Sequence, residues 1–258
     1  MVNIHSTAIV SSKAHLGENV TISPFAIIHD EVEIGDNTFI GPKTVVYDYT
    51  TIGNNVKIFQ NASIGHTPQD LKFKGEITHC YIGDNSIIHE FVTIHRGTAA
   101  SLKTTIGKNV YIMDYSHVAH DCVVEDNCII ANLTQIAGHV HIYQNAVIGG
   151  NVKILQFMRI GKFCMIQGSR TINKDIPPYI LAGTEEVQYG GLNSIGLRRN
   201  GFSSDQIQHI KKIYNYIFES KLNISQAKEK ISAEFSNDPF AIEILAFINE
   251  SKIGIISK

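Results

Sequence analysis

A chain of 258 residues, 43% hydrophobic and 18% charged, holds enough apolar material for one large domain or two modest ones. A formal net charge of −2 excludes the strong basic field that bulk binding to nucleic acid or to anionic membrane requires. The N-terminal MVNIHSTAIVSSKAH has no basic stretch leading into an apolar run, and nowhere do 18 apolar residues follow one another, so a cytoplasmic protein without membrane insertion is expected.

From Ile4 to Ile172 every sixth residue is Ile, Leu or Val, save Asp70, Glu76 and Ala100. Two positions before most of them sits a second small or β-branched residue, such as Ala8, Val20, Thr38, Ala62, Ser86 or Thr134. Residues two apart share one face of a strand, so both positions point inward. Cys80, Cys122, Cys128 and Cys164 all fall in the small slot and none forms a CxxC pair, which makes them compact core residues rather than metal ligands or redox thiols. The Gly and Asn of IGDN, IGNN and IGKN supply turn residues that tolerate positive φ. The unit is strand, corner, strand, and three such hexads close an 18-residue triangular coil stacked about 4.8 Å from the next. The failed slots mark two excursions, near residues 65–77 and 95–104, and loops that leave a solenoid on one side tend to build its binding surface.

Beyond Ile172 the pattern stops and DIPPYILAG punctuates the change, which divides the chain into a β-helix over 1–176 and a helical part over 177–258. Ser203 and Gln206 form a capping box for a helix that buries Ile207, Ile210, Tyr214, Ile217 and Phe218. A second helix is predicted from Ala227 to Phe235 and a third after Asp238, with Pro239 in its first turn.

The 18-residue coil turns the sequence into coordinates. In DYSHVAHDC, His120 lies beneath Gly138 and Gln156, and Asp121 lies beneath His139. An outward histidine with an acid beside it and a bare glycine amide above reads as a general base with an oxyanion donor. Two readings stand against it: ordinary surface histidines, and a zinc site that recruits His117, His120 and His139 as in trimeric β-helix hydratases.

PQDLKFKGE, VTIHRGT, SHVAHDC, IAGHV, DIPPY and GLRRNGF together resemble the UDP-N-acetylglucosamine 3-O-acyltransferase family of hexapeptide-repeat acyltransferases, from the first coil to the tail. The resemblance implies a left-handed parallel β-helix and transfer of a 3-hydroxyacyl group from acyl carrier protein to the sugar 3-hydroxyl of UDP-N-acetylglucosamine, the first step of lipid A biosynthesis. It further implies a homotrimer and no cofactor beyond the donor's phosphopantetheine. On the family's pattern His120 is the general base, Asp121 its orienting acid and Gly138 the oxyanion-hole amide. Asp70, Lys72, His95, His117, His139 and Gln156 match positions lining the nucleotide-sugar and acyl sites, Asn193 and Arg199 match nucleotide-binding positions, and Gly168 matches the residue that measures the acyl chain. Three departures stand out: Leu155 where a histidine is usual, Asn200 where a basic residue is common, and GTEEVQYGGLN, which leaves contacts of 185–190 unassigned. A related enzyme that acylates an amino-sugar nitrogen is the alternative within the class.

Overall fold

The computed structural model describes residues 1–183 and 187–258; Glu185, among the residues left unassigned above, lies outside them. Short strands, most of two residues, stack into three parallel sheets that form the faces of a prism. The first face starts at Asn3–Ile4, the second at Ile9–Val10 and the third at His15–Leu16, and the coil is a left-handed parallel β-helix. Each coil pairs residue for residue with the one 18 positions on, as Ile22 does with Ile40 and His117 with Gln135. Across the excursions the partner is further along, Ile52 with Ile82 and Ile82 with Ile106, so whole hexads are inserted and the inward phase is kept.

The inward residues behave as the repeat requires. Ile40, Ile58, Ile88, Ile112, Ile136 and Ile154 are all but sealed from solvent. The N-terminal coil departs from this: Ile4 is 45% exposed, because no coil lies below it. In the small slot, hydroxyls and thiols do more than fill space. Thr38, Thr44, Ser116 and Thr134 each donate to a backbone carbonyl 15 residues on, and so do Cys122 and Cys128. All four cysteines are free and buried, and burial pushes the thiols of Cys80, Cys122 and Cys128 up to about 12, which leaves them protonated and unreactive.

At the corners the structure corrects the reading of IGDN. Positive φ falls on the residue three after the aliphatic, most often Asn, as at Asn37 (57°), Asn55 (56°), Asn109 (54°) and Asn127 (60°). The glycine is needed for room instead: a Cβ on Gly35 would stand 2.7 Å from the Gly53 carbonyl carbon one coil above. Between them, the third residue ties coils together, since the Asp36 amide donates to Asn54 Oδ1 (2.7 Å) and the Lys108 amide to Asp126 Oδ1 (2.7 Å).

Parallel stacking runs on through Ile180–Gly183, which pairs with Met165–Ile166, and an antiparallel strand, Gln188–Leu192, completes the first face. Four helices follow: α1 (Ser194–Arg199), α2 (Ser204–Tyr214), α3 (Ile224–Glu234) and α4 (Pro239–Glu250). The capping box at Ser203 and Gln206 and the Asp238 cap with Pro239 form as expected. α3 begins earlier than predicted, because Asn223 and Gln226 make a second capping box. The helix expected to bury Ile217 and Phe218 does so, its last turn, Asn215–Glu219, being π-helical, whereas α1, short and with glycine inside it, is not among the predicted helices. The tail clamps the upper coils through Tyr179 to Glu243 (2.8 Å), Lys162 to Glu243 (2.6 Å) and the Tyr214 hydroxyl donating to the Pro178 carbonyl (2.7 Å).

The close approach at Gly35 gives a direct test. Gly35→Ala forces adjacent coils apart and is expected to cost about 1–3 kcal/mol, the scale of overpacking, read as a lower midpoint in chemical denaturation. An unchanged midpoint would show that the coils yield freely at this corner.

Candidate functional site

Both excursions leave the prism at one place, the edge between the second and third faces. The strand Ser63–His66 ends there before the first, and Thr93–His95 before the second. The next three coils bring His120, Gly138 and Gln156 to the same edge, with Asp121 and His139 immediately after. Register therefore gathers Asp70, Lys72, His95, His117, His120, Asp121, Gly138, His139 and Gln156 along one edge.

The geometry of His120 differs from the expectation of an outward ring beneath an open space. His120 is only 6% exposed, and a Cβ on Gly138 would stand 2.7 Å from its Cε1 and 2.9 Å from its Nε2. The glycine lets the imidazole lie flat against the backbone of the next coil. His120 Nδ1 lies 2.7 Å from Asp121 Oδ2, so Nδ1–H donates to the carboxylate and Nε2 is the nitrogen not engaged by it. The expected meeting of Asp121 with His139 is long, at 3.8 Å. The Gly138 amide makes no hydrogen bond among the described residues.

What holds Asp121 was not legible beforehand. It occupies a left-handed corner, φ 61°, with its amide donating to Thr104 Oγ1 (2.9 Å). The second excursion folds over it: the Thr98 amide donates to Oδ1 (3.0 Å), the Thr98 hydroxyl to Oδ2 (2.7 Å), and the Ser101 amide (3.2 Å) and hydroxyl to Oδ1. Burial by itself raises a carboxyl, but the bonds from Ser101, Thr98 and His120 outweigh it and hold Asp121 at about 2. Asp121 thus stays ionised and orients His120 without taking its proton.

Histidines line the edge on either side. His95 is 5% exposed with Nδ1 unpartnered among the described residues, and burial, then the neighbouring His117, His66 and His120, lower it to about 4. His117 is lowered too, chiefly by burial, and shares a hydrogen bond with Thr93 Oγ1 (2.7 Å). His139 stacks on Phe157, ring centres 4.6 Å apart at 6°. His66, Thr98, Ser101 and Phe157 went unnoticed in the sequence because each matters only through a neighbour on another coil.

Other expected residues have different surroundings. Asp70 accepts from the Lys72 amide (3.0 Å) in the first excursion, while the Lys72 side chain is exposed; Glu76 receives the Ala99 amide (3.0 Å) and ties the excursions together. Asn193 caps α1 by accepting from the Gly196 amide (3.1 Å) and donates to the Phe163 carbonyl (2.9 Å), so its side chain is already engaged. Arg199, in the last turn of α1, is exposed and has no side-chain partner among the described residues. Gly168 stands at the edge between the first and second faces, where a Cβ would lie 2.8 Å from the Gly150 carbonyl oxygen. Within one chain, then, Asn193, Arg199 and Gly168 do not join His120. A cavity of about 1100 Å³ bounded by Tyr189, Lys211, Tyr216 and Phe235 lies in the tail, apart from all of these residues.

A metal reading meets a different set from the one expected. His120, Asp121 and His139 place ligand atoms within 4.8 Å of one another, but His117 is not among them.

A hexapeptide prism carrying a histidine bonded to an ionised aspartate, beside a backbone amide with no partner among the described residues, defines a transferase of the hexapeptide-repeat class. Residues 13–48 and 103–138 match the bacterial transferase hexapeptide model, and 175–256 match domain 2 of UDP-N-acetylglucosamine O-acyltransferase. The crystallised UDP-N-acetylglucosamine acyltransferase of Bacteroides fragilis is 46% identical, with a TM-score of 0.95 over 98% of this chain and 99% of that one. That of Francisella novicida is 36% identical, TM-score 0.96, over 99% and 94%. An acyl-[acyl-carrier-protein]--UDP-N-acetylglucosamine O-acyltransferase from Chlorobium phaeobacteroides is 42% identical over 81 residues, 31% of each chain. The chain belongs to the UDP-N-acetylglucosamine acyltransferase family.

Two pH dependences follow from this geometry. Asp121 is depressed, so its stabilisation is present above the ordinary 3.8 and is lost as pH falls through about 2. Replacing Thr98 with Val and Ser101 with Ala removes both hydroxyls, each worth about 1–3 kcal/mol to a charged acceptor, and should move acid unfolding to higher pH. His95 is depressed as a base: its unfolded form takes a proton below 6.5 and its folded form only near 4, so stability should decline as pH falls from 6.5 towards 4. His95→Gln should flatten thermal-melt midpoints across that window; an unchanged slope would assign the decline to other groups.

Proposed function

We propose that the chain carries out its relatives' O-acylation of UDP-N-acetylglucosamine, transferring a 3-hydroxyacyl group from acyl carrier protein as the first step of lipid A biosynthesis, with His120 as general base. The observation that carries this reading is the 2.7 Å bond from His120 Nδ1 to a carboxylate that stays ionised, which fixes the ring and leaves Nε2 as the nitrogen available to a substrate proton. His120 Nε2 takes the proton of the sugar 3-hydroxyl as that oxygen attacks the thioester carbonyl. The Gly138 amide receives the developing oxyanion. Collapse breaks the carbon–sulfur bond, and the departing thiolate of the phosphopantetheine arm takes the proton from the imidazolium. The step draws on no group beyond the donor's own prosthetic arm.

Asp70, Lys72, His95, His117, His139 and Gln156 would line the nucleotide-sugar and acyl sites. Arg199, lacking a side-chain partner among the described residues, suits a diphosphate through charge-assisted bonds. Asn193 would contact the nucleotide only if it kept its capping role. Gly168 would limit acyl length.

Because Gly168 lies on another edge than His120 and Arg199 lies in α1, a complete site calls for neighbouring copies, and a homotrimer supplies them. The edge between the first and second faces supports such an assembly, with Phe25, Phe91, Tyr115 and Leu133 all more than 40% exposed and Phe91 stacked on Tyr115 at 4.7 Å. Among the described residues no helix is long and apolar enough to cross a membrane, in keeping with carrier protein as a cytoplasmic partner.

His120→Ala is expected to cut turnover by about 10²-fold or more while UDP-N-acetylglucosamine binding persists. Because His120 is buried and bonded to Asp121, some stability should be lost with it. Turnover close to that of the parent in a folded variant would refute the assignment, and a fully active monomer in light scattering would refute the shared site.

A further inference from the structure

The edge between the first and second faces carries a charge arrangement that the proposed reaction does not use. Glu90 and Asp114 occupy equivalent corner positions on adjacent coils, joined where the Tyr115 amide donates to the Glu90 carbonyl (3.0 Å). Two carboxylates stacked one coil apart repel. Among the described residues no Lys or Arg forms an ion pair with either, and the one basic group against them is His89.

His89 is held firmly. Its ring stacks on Phe59 (4.9 Å, 22°), and Nε2 lies 2.7 Å from the Tyr111 hydroxyl. Its Nδ1 points to Glu90 Oε2 at 3.3 Å, and ligand atoms of His89, Glu90 and Asp114 lie within 4.8 Å of one another. With the Tyr111 oxygen accepting from Nε2–H, the Nδ1 lone pair turns to the carboxylates; with the Tyr111 hydroxyl donating instead, Nδ1–H reaches Glu90. Neither form of the neutral ring supplies a positive charge to the two carboxylates. A proton on Nδ1 serves one carboxylate through a long contact, whereas a metal ion serves all three groups. An imidazole with one nitrogen turned to the ligand set and the other tied to an outer hydroxyl is the arrangement that orients histidine for a metal.

We propose that His89, Glu90 and Asp114 bind one divalent first-row metal ion, Zn²⁺ or Mn²⁺, with water in the remaining positions. One imidazole with two carboxylates suits these ions. Bonds of roughly 2.0–2.2 Å need the three ligand atoms to close in by small side-chain rotations, which three partly exposed residues permit. The ion would link two coils at the edge that carries the exposed Phe91 and Tyr115. This site is separate from His120 and does not depend on the reaction proposed above.

Since His120, Asp121 and His139 could also take up metal, the experiment must separate the two clusters. Full-length protein stripped with chelator is titrated calorimetrically with ZnCl₂, alongside His89→Gln, Asp114→Asn and His139→Gln, each shown to be folded by its circular-dichroism melt. The expected result is one equivalent per chain that weakens at least tenfold in His89→Gln and in Asp114→Asn and is retained in His139→Gln. The proposal is overturned if the parent, His89→Gln and Asp114→Asn titrate alike, or if all uptake disappears in His139→Gln.

Discussion

Everything in this protein hangs on the hydrogen bonds that join one coil to the next. Each strand is only a few residues long, so no strand could persist alone, and the coils exist because amides such as those of Phe39, Lys57 and Tyr111 donate to carbonyls one coil further on. Stacking at a fixed spacing leaves an interior of constant cross-section, which is why the same aliphatic residue recurs at every sixth position. The same constraint explains hydroxyls and thiols of the small slot such as Thr44 and Cys128: enclosed in the core, they reach a carbonyl of the coil above.

A rigid ladder also makes chemistry precise. Side chains that share an edge are held at multiples of one coil spacing, so His120 can lie against Gly138 with no freedom to drift. The excursions respect this order by inserting whole hexads, which lets them add polar groups over the edge without turning any later residue inside out. The second excursion is the consequential one. Burial opposes ionisation of Asp121, and the hydroxyls of Thr98 and Ser101 reverse the balance. At His95 no such donors intervene, and burial prevails: the imidazole stays neutral.

Much of this could be read from the residues in order. The hexad period marks the inward positions, including the four cysteines, and the 18-residue coil places Gly138 over His120. Helices α2 and α4 announced themselves through Ser203 with Gln206 and through Asp238 with Pro239. Where the reading went astray, geometry finer than periodicity was involved. Glycine and asparagine in IGDN were given one job, whereas steric contact with the next coil explains the glycine and a left-handed backbone explains the asparagine. α1 escaped notice because a six-residue helix with an internal glycine has no apolar period; its Asn193 cap and its packing create it.

The sequence by itself determined which residues face the core, which share an edge and in what order they stack, because a period repeated over so many coils leaves one phase that buries the aliphatic side chains. Only the tertiary structure decided the protonation and burial of the site. That Asp121 is gripped by Thr98 and Ser101, that His120 lies flat rather than outward, and that Asn193 is occupied as a cap all depend on where irregular segments come to rest. Such segments have no period, and their contacts are set by shape and by hydrogen-bond demand at the surface they meet.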